Sequence, residues 1–175
     1  MYKKKFWLIL IIALIIVVSI TFLVVCAVNW VTDTLAFGKE KAALKMNADW
    51  EEISTITDFL ITVDTPFVSF KKGDRVNGSQ FEITNENMFT DNDTETRNAV
   101  ARLILERKYK SVIKDKNYIK FLQWTWFMDE GRGVVYSIDG NEPEIQYVTL
   151  LEPLDRPGWY YYESDFNKWR SQNDK

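Results

Sequence analysis

Residues 6–28 read FWLILIIALIIVVSITFLVVCAV, an unbroken run without a charged side chain. A helix that crosses a hydrocarbon core of about 30 Å needs roughly 20 mostly apolar residues. As a helix it also satisfies every backbone polar group internally. The run meets that length, and Ser19 and Thr21 are placed to hydrogen-bond back to their own helix. It predicts a transmembrane helix that ties the chain to a lipid bilayer.

The flanking charges predict its orientation. Lys3, Lys4 and Lys5 precede the run, and the first charges after it are Asp33 and Lys39. Positive charge close to a span stays on the cytoplasmic side. The expected molecule is a single-pass signal-anchor protein of the cell membrane, N-terminus cytoplasmic and C-terminus extracytoplasmic. Trp7 and Trp30 bracket the run, roughly 34 Å apart along a helix. With the three lysines they are the expected membrane-interface anchors. Two processing routes compete with a permanent anchor. Val25-Cys26-Ala27 loosely fits a signal cleavage site, although the apolar run exceeds the 7–15 residues of a signal core. Leu23-Val24-Val25-Cys26 resembles a lipobox, with Val25 where Gly, Ala or Ser is expected. As a small apolar residue in a spanning helix, Cys26 needs neither.

Composition narrows the chemistry. All 25 acidic residues follow the run, together with 19 of the 22 basic ones. That acid excess argues against nucleic acid as a partner, because a phosphate backbone demands a basic footprint. There is no histidine, so Ser-His and Cys-His nucleophile arrangements and imidazole-based zinc sites are excluded. The single cysteine lies in the apolar run. The remainder therefore has no internal disulfide, and its core must hold it together. No cofactor or metal site is expected.

The chain divides into a cytoplasmic tail (1–5), the span (6–28), a juxtamembrane stalk (29–47) and an extracytoplasmic domain (48–175). The stalk is rich in helix formers from Lys39 onward, and Gly38 interrupts it. Residues 53–64, ISTITDFLITVD, place Ile53, Thr55, Thr57, Phe59, Ile61 and Val63 on one parity, which predicts a strand. Residues 67–70 and 75–84 predict a hairpin around Lys71-Lys72-Gly73-Asp74. An amphipathic helix is expected from a cap at Asp93 or Thr94, through Val100, Leu103 and Ile104, to Val112 and Ile113. Residues 118–128 carry aromatics on both parities, which marks a central strand. Asp129-Glu130-Gly131-Arg132 and residues 139–143 read as turns joining it to strands at 133–138 and 145–151, a three-stranded meander. Residues 159–162 add a short strand, and Ser164 or Asp165 caps a last helical turn through Trp169. The expected fold class is α+β: a mostly antiparallel sheet with one main amphipathic helix.

Candidate sites are few. Asp91-Asn92-Asp93-Thr94-Glu95 has the alternating oxygens of a calcium loop. The positions that need Gly and a bidentate Glu hold Thr96 and Arg102 instead. Asp129 and Glu130 are adjacent, whereas glycoside hydrolysis needs two carboxylates set apart across a sugar. Glu152 and Asp155 are remote candidates for the second. Asn77-Gly78-Ser79 and Asn92-Asp93-Thr94 match the N-glycosylation pattern. Trp159, Tyr160, Tyr161 and Tyr162 are the candidate partner-binding residues, since Trp and Tyr dominate binding hot spots. Trp124 and Trp126 fit core positions better.

The expected function is a non-catalytic extracytoplasmic domain on a membrane anchor that binds a protein partner or a cell-envelope component. The alternatives are a carboxylate-dependent envelope glycan hydrolase and an accessory subunit of a larger membrane complex. If the run is a permanent anchor, the full-length chain stays in the membrane pellet after alkaline carbonate washing. Its C-terminus is then cut by protease added to intact spheroplasts.

Overall fold

The computed structural model describes residues 15–26, 37–73, 81–84, 89–90, 93–126 and 130–173. The chain forms two compact units, Met1–Phe37 and Gly38–Lys175. In the first, residues 15–26 are helical (α1). The Thr21 hydroxyl donates to the Val17 carbonyl at 2.9 Å, the back-bond read from the sequence. Among the described residues no helix is long and apolar enough to cross a membrane. The 6–28 run continues beyond α1 on both sides, and Lys3, Lys4, Lys5, Trp7 and Trp30 lie outside the described residues.

The second unit is α+β. Its elements in chain order are α2 (Lys39–Ala48), α3 (Trp50–Thr62), β1 (Phe67–Lys72), β2 (Phe81–Thr84), α4 (Thr94–Ala101), β3 (Ser111–Asp115), β4 (Tyr118–Trp126), β5 (Glu130–Ser137), β6 (Val148–Pro153), β7 (Trp159–Asp165) and α5 (Phe166–Asn173). The unit begins at Gly38, ahead of the boundary expected at 48. The segment taken for the end of a stalk is α2, and it buries Ala42 and Met46 in the domain.

Where a strand is expected over 53–64, residues 53–62 form a helix instead. Both periods were present in this stretch. The helical one places Ile53, Ile56, Thr57 and Leu60 on a single buried stripe. Hydroxyls bond back within the helix: β-branched Thr55 donates to Glu51 O and Thr62 to Phe59 O, and Ser54 also donates to Glu51 O. Glu51 and Glu52 in the first turn suit the positive end of the helix dipole.

Helix α4 buries Thr96, Ala99 and Val100 and continues as a wider π-helical turn, Arg102–Glu106, that buries Leu103 and Ile104. It stops there. Arg107 N–H donates five residues back to Arg102 O, and Lys108 takes a positive φ of 62°. Val112 and Ile113, expected on this helix, lie in β3 instead. At the start of α4, Asp93 occupies the cap position but its carboxylate accepts from Thr90 N–H and Oγ1. The expected cap of the last helix is present: Asp165 Oδ1 accepts from Lys168 N–H at 2.8 Å.

Among the described residues seven strands pair antiparallel in the order β2-β1-β3-β4-β5-β7-β6. The expected hairpin appears as the β1–β2 pair, with Phe70 opposite Ile83. β4 is central, as its two-sided aromatic pattern implies. The meander is not formed, because β7 inserts between β5 and β6. Burial explains this. Trp159, Tyr161 and Tyr162, on both faces of β7, are all at most 4% exposed, which suits an interior strand, whose faces are covered more fully than those of an edge. β6 carries half-exposed Leu150 and ends on Pro153, and a strand with proline suits an edge. The 139–143 turn forms nonetheless. Asp139 accepts from Asn141 N–H, Asn117 Nδ2 and the Ser137 hydroxyl. The Asn141 bond is foremost in holding the Asp139 carboxyl down at about 2. Glu130, Gly131 and Arg132, expected in a turn, open β5.

One face of the sheet supports the helices through Val68, Phe70, Val112, Ile119, Phe121, Val134 and Tyr161, all buried. A charged clasp fixes α2 and α3 to the end of α4. Asp49, at their junction, pairs with Lys45 at 3.1 Å and Arg107 at 3.3 Å. Glu52 pairs with Arg102 at 3.1 Å. Behind the clasp, Gln123 Nε2 reaches Tyr109 Oη and the Ala42 carbonyl. The opposite face carries Tyr118, Val135 and Tyr162 under Ile145 of the β5–β6 connection.

Gln123 is the extra residue of a β-bulge between Leu122 and Trp124. Gly133 faces it so closely that a Cβ there would stand 2.1 Å from Phe121 O. Gly133→Ala must displace the backbone of a central strand. It should destabilise the domain by about 3 kcal/mol or more, read as a lowered urea midpoint.

Candidate binding clefts

Of the four candidate partner-binding residues, Trp159, Tyr161 and Tyr162 are interior and Tyr160 is half-buried. They are therefore not the surface patch that the sequence suggests. Tyr161 donates to Glu163 Oε1 at 2.7 Å. Tyr160 packs against the cluster under Ile145. Trp124 is half-buried, with the Arg132 guanidinium 4.7 Å from its ring centre. Trp126 belongs to β4 by its backbone. Trp169 packs edge-on to Tyr147, ring centres 5.1 Å apart.

Trp159 does reach a cleft, on the helix side of the sheet. A cavity of about 210 Å³ opens between α3 and the β5–β7 pair. Its helical wall is Trp50, Ser54, Thr57, Asp58 and Ile61. These positions recur at three- and four-residue spacing and so share one face of α3. Its floor is Tyr136 and Trp159, directly opposite one another across β5 and β7. The rings interlock: Trp159 lies 5.6 Å from Trp50 at 66° and 5.2 Å from Tyr136 at 46°. Gly158, at a positive φ of 79°, keeps the approach open, since a Cβ there would meet the Tyr136 ring at 3.1 Å. Arg156 stacks over Trp50 at 3.7 Å and its Nε donates to Asn47 Oδ1.

This cleft combines aromatic faces with a few polar groups. Asp58 is exposed at its mouth. The Thr57 hydroxyl is buried and has no hydrogen-bond partner among the described residues. A buried hydroxyl left unpaired costs stability. The strand expectation for 53–64 hid this site. On a strand, alternate parity sends Ser54 and Asp58 to one face and Thr57 and Ile61 to the other. The helical period would have grouped them.

A second depression of about 480 Å³ lies at the end of the sheet, beside Asp64, Lys114 and Lys116. The Lys114 ammonium is already held by the Val63 carbonyl. Among the described residues, no cluster of three or more Cys, Asp or Glu side chains is placed to hold a metal ion. Asp91 and Asn92 of the calcium-like loop, and Asn77 to Ser79, fall outside the described residues. Glu152, once a candidate for carboxylate chemistry, pairs with Lys39 at 3.4 Å. No family model, curated protein or solved structure matches this chain.

Thr57→Val removes the unpaired hydroxyl at nearly constant shape. It should stabilise the domain by about 1 kcal/mol, measured by urea unfolding. The same change should weaken whatever occupies the cleft.

Proposed function

We propose that this chain is a single-pass membrane-anchored protein whose extracytoplasmic domain is a non-catalytic binding module. In this reading the Trp50–Tyr136–Trp159 cleft receives one projecting unit of a protein partner or cell-envelope component. The observation that carries it is the unpaired Thr57 hydroxyl inside an aromatic-walled cavity. Drug-sized ligands occupy pockets of about 300–1,000 Å³, and this one is smaller. Its size suits a single anchoring side chain or sugar ring, which an aromatic surround can desolvate. Each of the two clefts described is lined by one carboxylate residue, Asp58 or Asp64. That supports binding over glycan hydrolysis, which needs two facing carboxylates. Localisation rests on the uncharged 6–28 run and the lysines before it.

A photo-crosslinker at position 58, in the full-length chain on intact cells, tests this reading. It should capture a discrete species from the outer side. Ser54→Trp, which plugs the cleft from a half-buried position, should abolish capture. Absence of a captured species, or capture indifferent to the plug, would refute the proposal.

A further inference from the structure

Across the sheet from the aromatic cleft lies a third cavity, of about 340 Å³. It is set between β4, β5, β7, the residues before β6 and the start of α5. Lys120 lines it, with Leu122, Thr125, Tyr147, Ser164 and Phe166 among its neighbours. Lys120 projects from the middle of the central strand, where the alternation of β4 puts it on the same face as Tyr118 and Leu122.

Lys120 shares the cavity with one carboxylate residue, Glu130. The lysine side chain is half-buried, and among the described residues its ammonium makes no hydrogen bond or direct ion pair. The Tyr162 ring centre lies 5.7 Å from the ammonium. Burial pulls the affinity of Lys120 for its proton down, opposed only by the distant charge of Asp115. Tyr162 itself is wholly buried, with a hydroxyl that has no hydrogen-bond partner among the described residues. Buried charges are ordinarily paired, because desolvation of an isolated ion is costly. A leucine or methionine at position 120 would pack against Leu122 and Tyr162 without that cost.

The lining indicates what completes the site. Thr125, Tyr147 and Ser164 offer hydroxyls, whereas Leu122 and Phe166 offer apolar contact. Glu130 is the one carboxylate residue in the lining, which limits the site to a single ligand carboxylate held by Lys120. Tyr147 is fixed at the rim by a positive φ of 59° and by edge contacts with Phe166 at 4.9 Å and Trp169 at 5.1 Å. The acid excess of the chain beyond residue 28 repels polyanions. We propose that this cleft binds a small carboxylate with a compact apolar body. The carboxylate pairs with the Lys120 ammonium, and the body lies against Leu122 and Phe166. This site stands apart from the aromatic cleft, so either can fail alone.

The test uses full-length chain in nanodiscs, with benzoate as probe and benzamide as its neutral counterpart. Calorimetric titration should show saturable benzoate binding, with benzamide weaker by roughly tenfold or more, the scale of a charge-assisted hydrogen bond. Benzoate, and not benzamide, should raise the melting temperature of the domain. Lys120→Met should lose benzoate binding by a similar factor and melt no lower than the unliganded parent. Equal binding of the two probes, no saturable benzoate binding, or a lower melting temperature for Lys120→Met each overturns the proposal. The probe comparison on the parent chain decides the matter even if the variant fails to fold.

Discussion

Two carboxylates at the α2–α3 junction are nearly out of water, and the helical layer depends on how they are paired. Asp49 and Glu52 side chains are 5% and 7% exposed. Left alone they would oppose folding, since desolvating a carboxylate costs several kcal/mol. Lys45, Arg102 and Arg107 compensate them, and the three cations come from both ends of the layer. Lys45 also donates to the Arg107 carbonyl, one of the backbone groups left over where the π-turn ends. The pairing sets the position of α3 over the sheet. That position brings Trp50 and Thr57 above Tyr136 and Trp159.

The sheet divides the domain into two surfaces of different chemistry. Under the helices the packing is aromatic and aliphatic, and among the described residues the Thr57 hydroxyl and Gln123 Oε1 are its buried unpaired polar atoms. On the other face a lysine occupies a position that apolar packing would fill more stably. Unpaired polar groups in clefts of an otherwise satisfied fold are where stability is exchanged for recognition. The bulge at Gln123 joins the two surfaces. It turns Gln123 toward Tyr109 and α2, and it forces Gly133 against the central strand.

Much of the domain was legible because some elements carry their instructions locally. The two-sided aromatic pattern of 118–128 identified the central strand, and Asp165 announced the cap of α5. Residues 53–62 fold as a helix although β-branched composition and alternate parity suggest a strand, because an equally present 3.6-residue stripe is the one the core buries. The hydroxyl back-bonds that reconcile Thr55 and Thr62 with a helix depend on a conformation that composition does not reveal. The meander expectation failed for a different reason. An Asp-Gly turn specifies a tight reversal at 139–140, but it does not say which strand the chain pairs with afterwards. Trp159 and Tyr161–Tyr162 were correctly singled out as unusual, yet an aromatic run serves a strand buried on both faces as well as it serves a binding surface.

The primary structure alone determined what depends on composition and charge order: an uncharged run long enough to span lipid, lysines on one side of it, an acidic remainder, and no imidazole chemistry. These follow from solvation energies that each residue carries wherever the chain goes. Strand order, the helical state of α3 and both clefts were decided only by tertiary structure. They depend on which distant segments bury one another's faces, and the energy of such a pairing belongs to neither segment by itself.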